Sequence, residues 1–335
     1  MQLLILGGTV FLGSALAADA VARGWQVTTF SRGRSGEPSP GAQALHGDRT
    51  VNGDLDQLTS RHWDAVIDTS GFIPAVVGSA ARRLADVVPR YAFVSSLSVY
   101  PDGMSEVVDE RARLHACPPD ATAGEYGELK AGCERAVVEA YGEDRSLLIR
   151  PGLILGPREN IGRLPWWLRR VAAGGDVLAP GRPARPLQYV DVRDLATWTL
   201  DGLAADVTGP VNVVSRPGHA TMGELLEACV AATCSPARLR WASEELLAGH
   251  FVEPWTELPC WVPELTPAMA GFFAARVDRA VETGLRCRPV VETVAGTWEW
   301  LAAGGVPVPR PGLPPTGLLV EKEKAVLAAL DAPAD

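Results

Sequence analysis

The sequence predicts an α/β fold: a doubly wound parallel sheet followed by a smaller substrate-binding domain toward the C-terminus. Three observations predict it. Short apolar strands alternate with helical stretches through the first half of the chain. The opening strand runs into the glycine-rich turn Gly7-Gly8-Thr9-Val10-Phe11-Leu12-Gly13. Further on, Tyr126 and Lys130 stand four apart in a segment of helical character.

A chain of 335 residues buries a full core as one large domain or two smaller ones. With 47% hydrophobic and 21% charged residues it reads as globular, not disordered. The net charge of -9 argues against a nucleic-acid partner held through phosphates. No apolar run is long enough to cross a bilayer, and Met1-Gln-Leu-Leu-Ile-Leu6 reads as a buried strand instead of the basic leader of a signal peptide. The 6 cysteines (Cys117, Cys133, Cys229, Cys234, Cys260 and Cys287) form no C-x-x-C and no Cys/His cluster of metal-ligand spacing. A reduced cytoplasmic protein without a metal is the simplest expectation.

In chain order, 2–6 is a strand, 11–23 an alanine-rich helix ending near Gly24, and 26–30 a second strand, with a third at 43–46. Residues 64–68 and 91–95 are further strands around a helix at 75–88. Residues 134–141 continue the helix that carries Tyr126 and Lys130, and 146–149 is the next strand. Strands separated by helices imply right-handed crossovers and a buried parallel sheet. After Pro157 the pattern becomes aromatic and proline-punctuated around two strand-like pieces, 187–190 and 210–214. The expected division is a dinucleotide-binding Rossmann-type domain over 1–157 and 186–216, and a substrate domain over 158–185 and 217–305. A proline-rich linker (306–315) and a terminal helix packed on the surface (318–330) complete the chain within 306–335.

The glycine turn sits where a strand ends and a helix begins, the context that a dinucleotide requires. Gly7 permits the tight turn and Gly13 close packing of helix on sheet. Backbone N–H groups across Thr9, Val10, Phe11 and Leu12 then face the pyrophosphate. Val10 stands where a glycine usually allows close backbone approach, and is accommodated if its side chain points away. The second strand ends Phe30-Ser31-Arg32-Gly33-Arg34, where the ribose-reading residue is expected. An acid there would accept the 2′-hydroxyl, whereas arginine suits a 2′-phosphate, so Ser31, Arg32 and Arg34 favour NADP(H) over NAD(H). A solvated basic turn is the alternative. Asp48 either approaches the adenine amino group or caps the next segment.

Residues at i and i+4 share a helical face, so the Tyr126 phenol and the Lys130 ammonium converge. A cation beside a phenol favours the phenolate and suits it to acid–base work. Ser95-Ser96-Leu97-Ser98-Val99-Tyr100 lies between the turn and this pair.

Together these residues resemble the extended short-chain dehydrogenase/reductase family, also called the NAD-dependent epimerase/dehydratase family. The landmarks are the Gly7–Gly13 turn, Phe93-Val-Ser-Ser96 with Val99-Tyr100, Tyr126-Gly-Glu-Leu-Lys130, Arg150-Pro-Gly-Leu-Ile-Leu-Gly-Pro157, and Gln188-Tyr-Val-Asp-Val-Arg-Asp-Leu-Ala196. The Gly-Gly-Thr-x-Phe-Leu-Gly form is similar to a branch of reductases that also includes plant RNA-associated proteins and often has a basic residue where Val10 stands. The resemblance implies that Tyr126 is the general acid/base and that Lys130 binds the nicotinamide ribose. It implies that Ser96, in preference to Ser95 or Ser98, hydrogen-bonds the reacting oxygen, with Ser95 among the cofactor contacts. Thr69, Ser70 and Gly71 would line the nicotinamide half, and Pro151 and Leu153 would supply contacts to the carboxamide. Leu97-Ser98 stands where sugar-nucleotide dehydratases of this family carry Asp-Glu, which argues against water elimination. The reaction implied is NADP(H)-dependent interconversion of a ketone and a secondary alcohol. An epimerase, a redox-neutral cyclase or lyase, and a non-catalytic dinucleotide- or RNA-binding protein are the alternatives, and a homodimer is expected by analogy.

Substrate contacts are expected from Phe72, Ser98, Trp166, Trp167, Gln188, Tyr189 and Trp255, with Phe251 and Trp261 extending an aromatic lining. Arg158 and Arg185 are candidates for a phosphate or carboxylate, with a solvated surface as the alternative. His250 reads either as a second acid/base group or as a structural histidine. The aromatic, weakly charged character points to an apolar or polycyclic substrate over a diphosphate sugar.

Overall fold

The computed structural model describes residues 1–101, 105–264, 266–308 and 315–332. Seven parallel strands form the central sheet: β1 (Gln2–Leu6), β2 (Gln26–Ser31), β3 (Gln43–His46), β4 (Ala65–Asp68), β5 (Tyr91–Val94), β6 (Ser146–Pro151) and, late in the chain, Gly209–Val213. The last strand lies beside β6, β6 beside β5, β5 beside β4, and β4 beside β1. From β1 the sheet continues outward through β2 and β3. Strand order therefore reverses between β1 and β4, and ligands bind at the carboxyl ends of strands at such a switch point.

The central strands form because they are apolar on both faces. Leu3 and Ile5 enter one core with Leu16, Leu195 and Val211, while Leu4 and Leu6 enter another with Val77, Phe93 and Val137. That two-residue alternation distributes one strand between two helical layers. Helix α1 (Phe11–Ala22) covers the first face together with α6 (Val192–Ala204). Helices α3 (Pro74–Leu84) and α4 (Tyr126–Tyr141) pack together on the second. The short α2 (Asn52–Thr59), not foreseen from sequence, follows β3.

A third core gathers the residues after β6. Strand β7 (Leu153–Leu155) leads to α5 (Arg163–Ala172), whose Leu164, Trp167, Leu168 and Val171 are fully buried at helical spacing. Strand β8 (Asp176–Pro180) pairs in parallel with a later strand, Arg238–Ala242, and the region includes α7 (Met222–Thr233), α8 (Glu244–Gly249) and α10 (Val290–Ala302), whereas α9 (Asp278–Glu282) packs on the central sheet beside Gly209–Val213, with Ala280 in the core of α1 and α6.

Most expected boundaries differ from the observed ones by a residue or two. The helix expected at 75–88 ends at Leu84, where the N–H groups of Val87 and Val88 both fold back onto the Leu84 carbonyl. The strand expected at 187–190 is two: β9 (Pro186–Leu187) pairs antiparallel with Ala220–Thr221, and β10 (Tyr189–Asp191) pairs parallel with β7. Helix α11 (Val320–Asp331) is more than surface packing. Its Val326 is fully buried, and the Glu323 carboxylate accepts from Arg170 Nε at 2.7 Å and from the Leu178 N–H at 3.1 Å. The expected linker falls partly on residues 309–314, outside the described residues.

Candidate active site

Two cavities meet at the carboxyl edge of the sheet, of about 540 Å³ and 680 Å³, sharing Phe11, Leu12, Thr69, Phe72 and Asn160. The first is lined by the whole Gly7–Gly13 turn, by Ser31 at the end of β2 with Arg32 and Arg34 beyond it, by Asp48 after β3, and by Thr69 and Ser70 after β4.

The turn has the shape that a pyrophosphate needs. Gly7 has φ 107°, a left-handed conformation that disfavours any side chain, and a Cβ on Gly13 would come within 2.6 Å of the Gly8 nitrogen. The first N–H groups of α1 have no intrahelical acceptors and border the cavity. Val10 caps α1 in ordinary extended backbone (φ -127°, ψ 142°), so the fold does not need glycine there. Val10 lines the cavity. These features, with arginines at the far end, fit a dinucleotide.

Asp48 does not cap α2, whose N-cap position is Val51. Asp48 lines the cavity, and its Oδ1 accepts from the Thr50 N–H (2.9 Å) and hydroxyl (2.7 Å). Those bonds, chiefly the Thr50 amide, hold its carboxyl below the usual value, with smaller help from Arg32 and Arg34.

Sequence reasoning missed Arg49 in the same wall. Its guanidinium is bidentate to Asp68, with both bonds at 2.7 Å, and Nη1 also reaches Ser70 Oγ at 3.2 Å. Asp68 is fully buried at the end of β4 and accepts further bonds from Tyr91 Oη (2.8 Å) and the Ser70 N–H (3.0 Å). Burial pushes the Asp68 carboxyl up, but Arg49 and these donors outweigh it, so the net shift is downward.

The second cavity brings the three expected catalytic residues together: Ser96, Tyr126 and Lys130 all line it. Tyr126 opens α4, where Glu125 and Glu128 form a capping box, and is 47% exposed, so the phenol meets solvent or substrate. Lys130, one turn on, is 3% exposed. Its Nζ donates to the carbonyls of Gly71 (2.9 Å) and Val94 (2.6 Å), with the Phe93 and Phe72 ring centroids at 4.4 and 5.1 Å. Ser96 Oγ caps the turn that follows it, accepting from the Ser98 N–H and donating to Ser98 Oγ, each at 3.1 Å. Ser95 is buried, and its hydroxyl lacks a protein partner among the described residues.

Tyr100 also lines this cavity, yet its hydroxyl is committed. It donates to Asn212 Oδ1 (2.8 Å) and accepts from Arg150 Nη1 (2.7 Å), while Arg150 is bidentate to Glu134 on α4. Burial, partly offset by Arg150, pushes this phenol up to about 12, far from the range of neutral acid–base work. Tyr126 is thus the available phenol of the two.

The expected substrate residues divide. Phe72, Ser98 and Trp255 line the cavity, as do Pro151 and Leu153. Gln188 lines it too, but its amide is spent: Nε2 donates to Ser215 O and Ala275 O, each at 2.8 Å, and Oε1 accepts from the Ala275 N–H at 3.1 Å. Trp166, Trp167 and Tyr189 do not line either cavity. Trp167 faces the C-terminal core, where its Nε1 bonds the Pro259 carbonyl at 2.7 Å. Trp166 packs edge-on against Trp167 at 4.7 Å, and Tyr189 is buried with its hydroxyl toward Arg288 O. Gly71 lies beneath the floor, contributing its carbonyl to Lys130. Trp261 is core, Phe251 is exposed, and His250 ends α8 away from both cavities. Arg158 is exposed, and Arg185 is buried beside Glu264 at 3.7 Å; neither lines a cavity. Unforeseen residues in the lining include His115, Glu159, Arg163 and Phe272.

A family model described as the NAD dependent epimerase/dehydratase family matches residues 3–213, which is most of the chain and all of the central sheet but Gln2. The chain belongs to the NAD dependent epimerase/dehydratase family. It is 27% identical over 256 residues to the chloroplast stem-loop binding protein of 41 kDa b of Arabidopsis thaliana, covering 69% of this chain but only 63% of that protein. It is 27% identical over 259 residues to dTDP-6-deoxy-L-talose 4-dehydrogenase (NAD(P)(+)) of Kitasatospora kifunensis, covering 70% and 80% of the two chains. The crystal structure of the Bordetella bronchiseptica enzyme WbmH in complex with NAD+ superposes with a TM-score of 0.70 at 19% identity, over 91% of this chain and 99% of that one, a likeness of fold.

Proposed function

We propose that this family member is an NADP(H)-dependent oxidoreductase that interconverts a ketone and a secondary alcohol on a small molecule. The observation that carries the reading is that Ser96, Tyr126 and Lys130 line one cavity continuous with the cleft above the glycine turn. In this reading the sheet region over 1–157 and 186–216 holds the dinucleotide, and 158–185 with 217–305 closes over the substrate. The α1 turn holds the pyrophosphate, Arg32 and Arg34 the 2′-phosphate, and Asp48 the adenine edge.

When bound, the nicotinamide supplies or accepts a hydride. Tyr126 Oη gives or takes the proton at the substrate oxygen, and Ser96 Oγ holds that oxygen. Lys130, fixed through Gly71 and Val94, holds positive charge beside them. Phe11 and Phe72, shared by the two cavities, exclude water from their junction. Replacing Tyr126 by Phe tests the assignment: turnover should fall about 10²–10⁴-fold while NADPH binding, followed by fluorescence, is retained. Turnover at the wild-type rate would sink it.

Epimerisation through transient oxidation uses the same three residues and is the second reading, favoured by the family match itself. Stoichiometric consumption of reduced cofactor separates the two. The similarity to a stem-loop binding protein does not carry an RNA role here, because a net charge of -9 opposes phosphate contacts.

A further inference from the structure

The N-terminus of α5 borders the substrate cavity, and the first turn of a helix is an anion-binding arrangement when its amides are free. Here they are occupied from within the chain. Glu159, 1% exposed and part of the cavity wall, accepts from the Arg163 N–H at 3.0 Å through Oε1 and from the Leu164 N–H at 2.9 Å through Oε2.

We propose that Glu159, by filling the amide donors of α5, makes the cavity reject nucleoside diphosphates and admit an uncharged ketone or alcohol bearing an aromatic ring. The inference deepens the oxidoreductase reading and rests on it for the ketone–alcohol pair. A diphosphate entering beside α5 would find the Arg163 and Leu164 amides already taken and a carboxyl group in place. The arginines near this wall are otherwise placed. Arg185 is turned to Glu264, Arg158 lies outside the lining, and Arg163 lies over the Trp255 ring at 4.6 Å. What the same wall offers is an aromatic surface. Trp255 meets Phe272 and Phe272 meets Phe273 edge-on, each at 4.9 Å, and all three line the cavity. Edge-to-face clusters of this kind accept a further ring.

The test is a binding experiment on the full-length protein, with dTDP and UDP as calorimetric probes and 2-acetylnaphthalene followed by tryptophan fluorescence. The wild type should bind neither nucleotide below about 1 mM and should bind the ketone, with Trp255→Ala weakening the ketone about tenfold or more. Glu159→Ala should gain nucleotide affinity about tenfold or more once the amides are free. If that variant loses its cooperative melt, Glu159→Gln, which removes the charge and leaves an acceptor for the cap, should show a gain in the same direction. Micromolar dTDP or UDP binding by the wild type, or no gain in a folded variant, would overturn the proposal. Neither readout needs turnover. A ketone that binds but is never reduced by NADPH would count against the oxidoreductase reading and leave the exclusion by Glu159 standing.

Discussion

Lys130 donates to the carbonyl oxygen of Val94 at 2.6 Å, which ties α4 to the last residue of β5. Ser95 and Ser96 follow directly, so one ammonium fixes the spacing between the candidate phenol and the candidate hydroxyl. Lys130→Met should therefore do two things. It should leave the Gly71 and Val94 carbonyls short of a donor, at a cost of about 1–3 kcal/mol, read as a lower melting temperature. It should also abolish turnover, and full activity with an unchanged melt would contradict both roles.

Arg32 and Arg34 are exposed and lie along the far end of the glycine-turn cavity, free to meet a phosphate. Replacing both by alanine should weaken NADPH about tenfold or more, since charge-assisted hydrogen bonds contribute about 1.5–3 kcal/mol each. NADH affinity should hardly change. Equal loss for both cofactors would assign the arginines to something other than the 2′-phosphate.

Val10 lines the cavity in a backbone conformation open to any residue. Val10→Gly should thus leave the fold intact and tighten NADPH and NADH alike, by removing a β-branched side chain from the phosphate approach. An unchanged affinity in titrations of both cofactors would show that the valine does not obstruct them.

The Arg49–Asp68 pair makes the fold acid-sensitive. Because the Asp68 carboxyl lies below its ordinary value in the folded protein, its contribution is complete above about pH 4, the unfolded value. It is lost as pH falls further, through the folded value. Asp68→Asn should lower stability at neutral pH by about 3–5 kcal/mol, because the Arg49 charge stays buried without its partner. The variant should also show a flatter acid limb in denaturant melts recorded against pH. An acid limb as steep as the wild type's would place the titration elsewhere.

The sheet was legible in the sequence because its strands are apolar runs bounded by helices of contrasting pattern. The order of Gly7, Ser96, Tyr126 and Lys130 makes the candidate site legible in the sequence, and the fold brings all four to the two adjoining cavities. Residue type failed where direction mattered. Trp167 was read as lining because it is aromatic, yet its spacing with Leu164, Leu168 and Val171 is a core stripe. Gln188 lines the cavity, but its amide is committed to the backbone of Ser215 and Ala275. Arg49 and Glu159 escaped notice because a charged residue in a turn ordinarily reads as solvated, and only the fold brings Asp68 to the one and the α5 amides to the other.

A fluorescence titration of the wild-type protein with NADPH and with NADH, using energy transfer from its tryptophans, tests the central claim most directly. The proposed function requires saturable NADPH binding at least about tenfold tighter than NADH, a difference of about 1.4 kcal/mol. Absence of binding by either dinucleotide would contradict it, since hydride transfer in this cleft would then have no source.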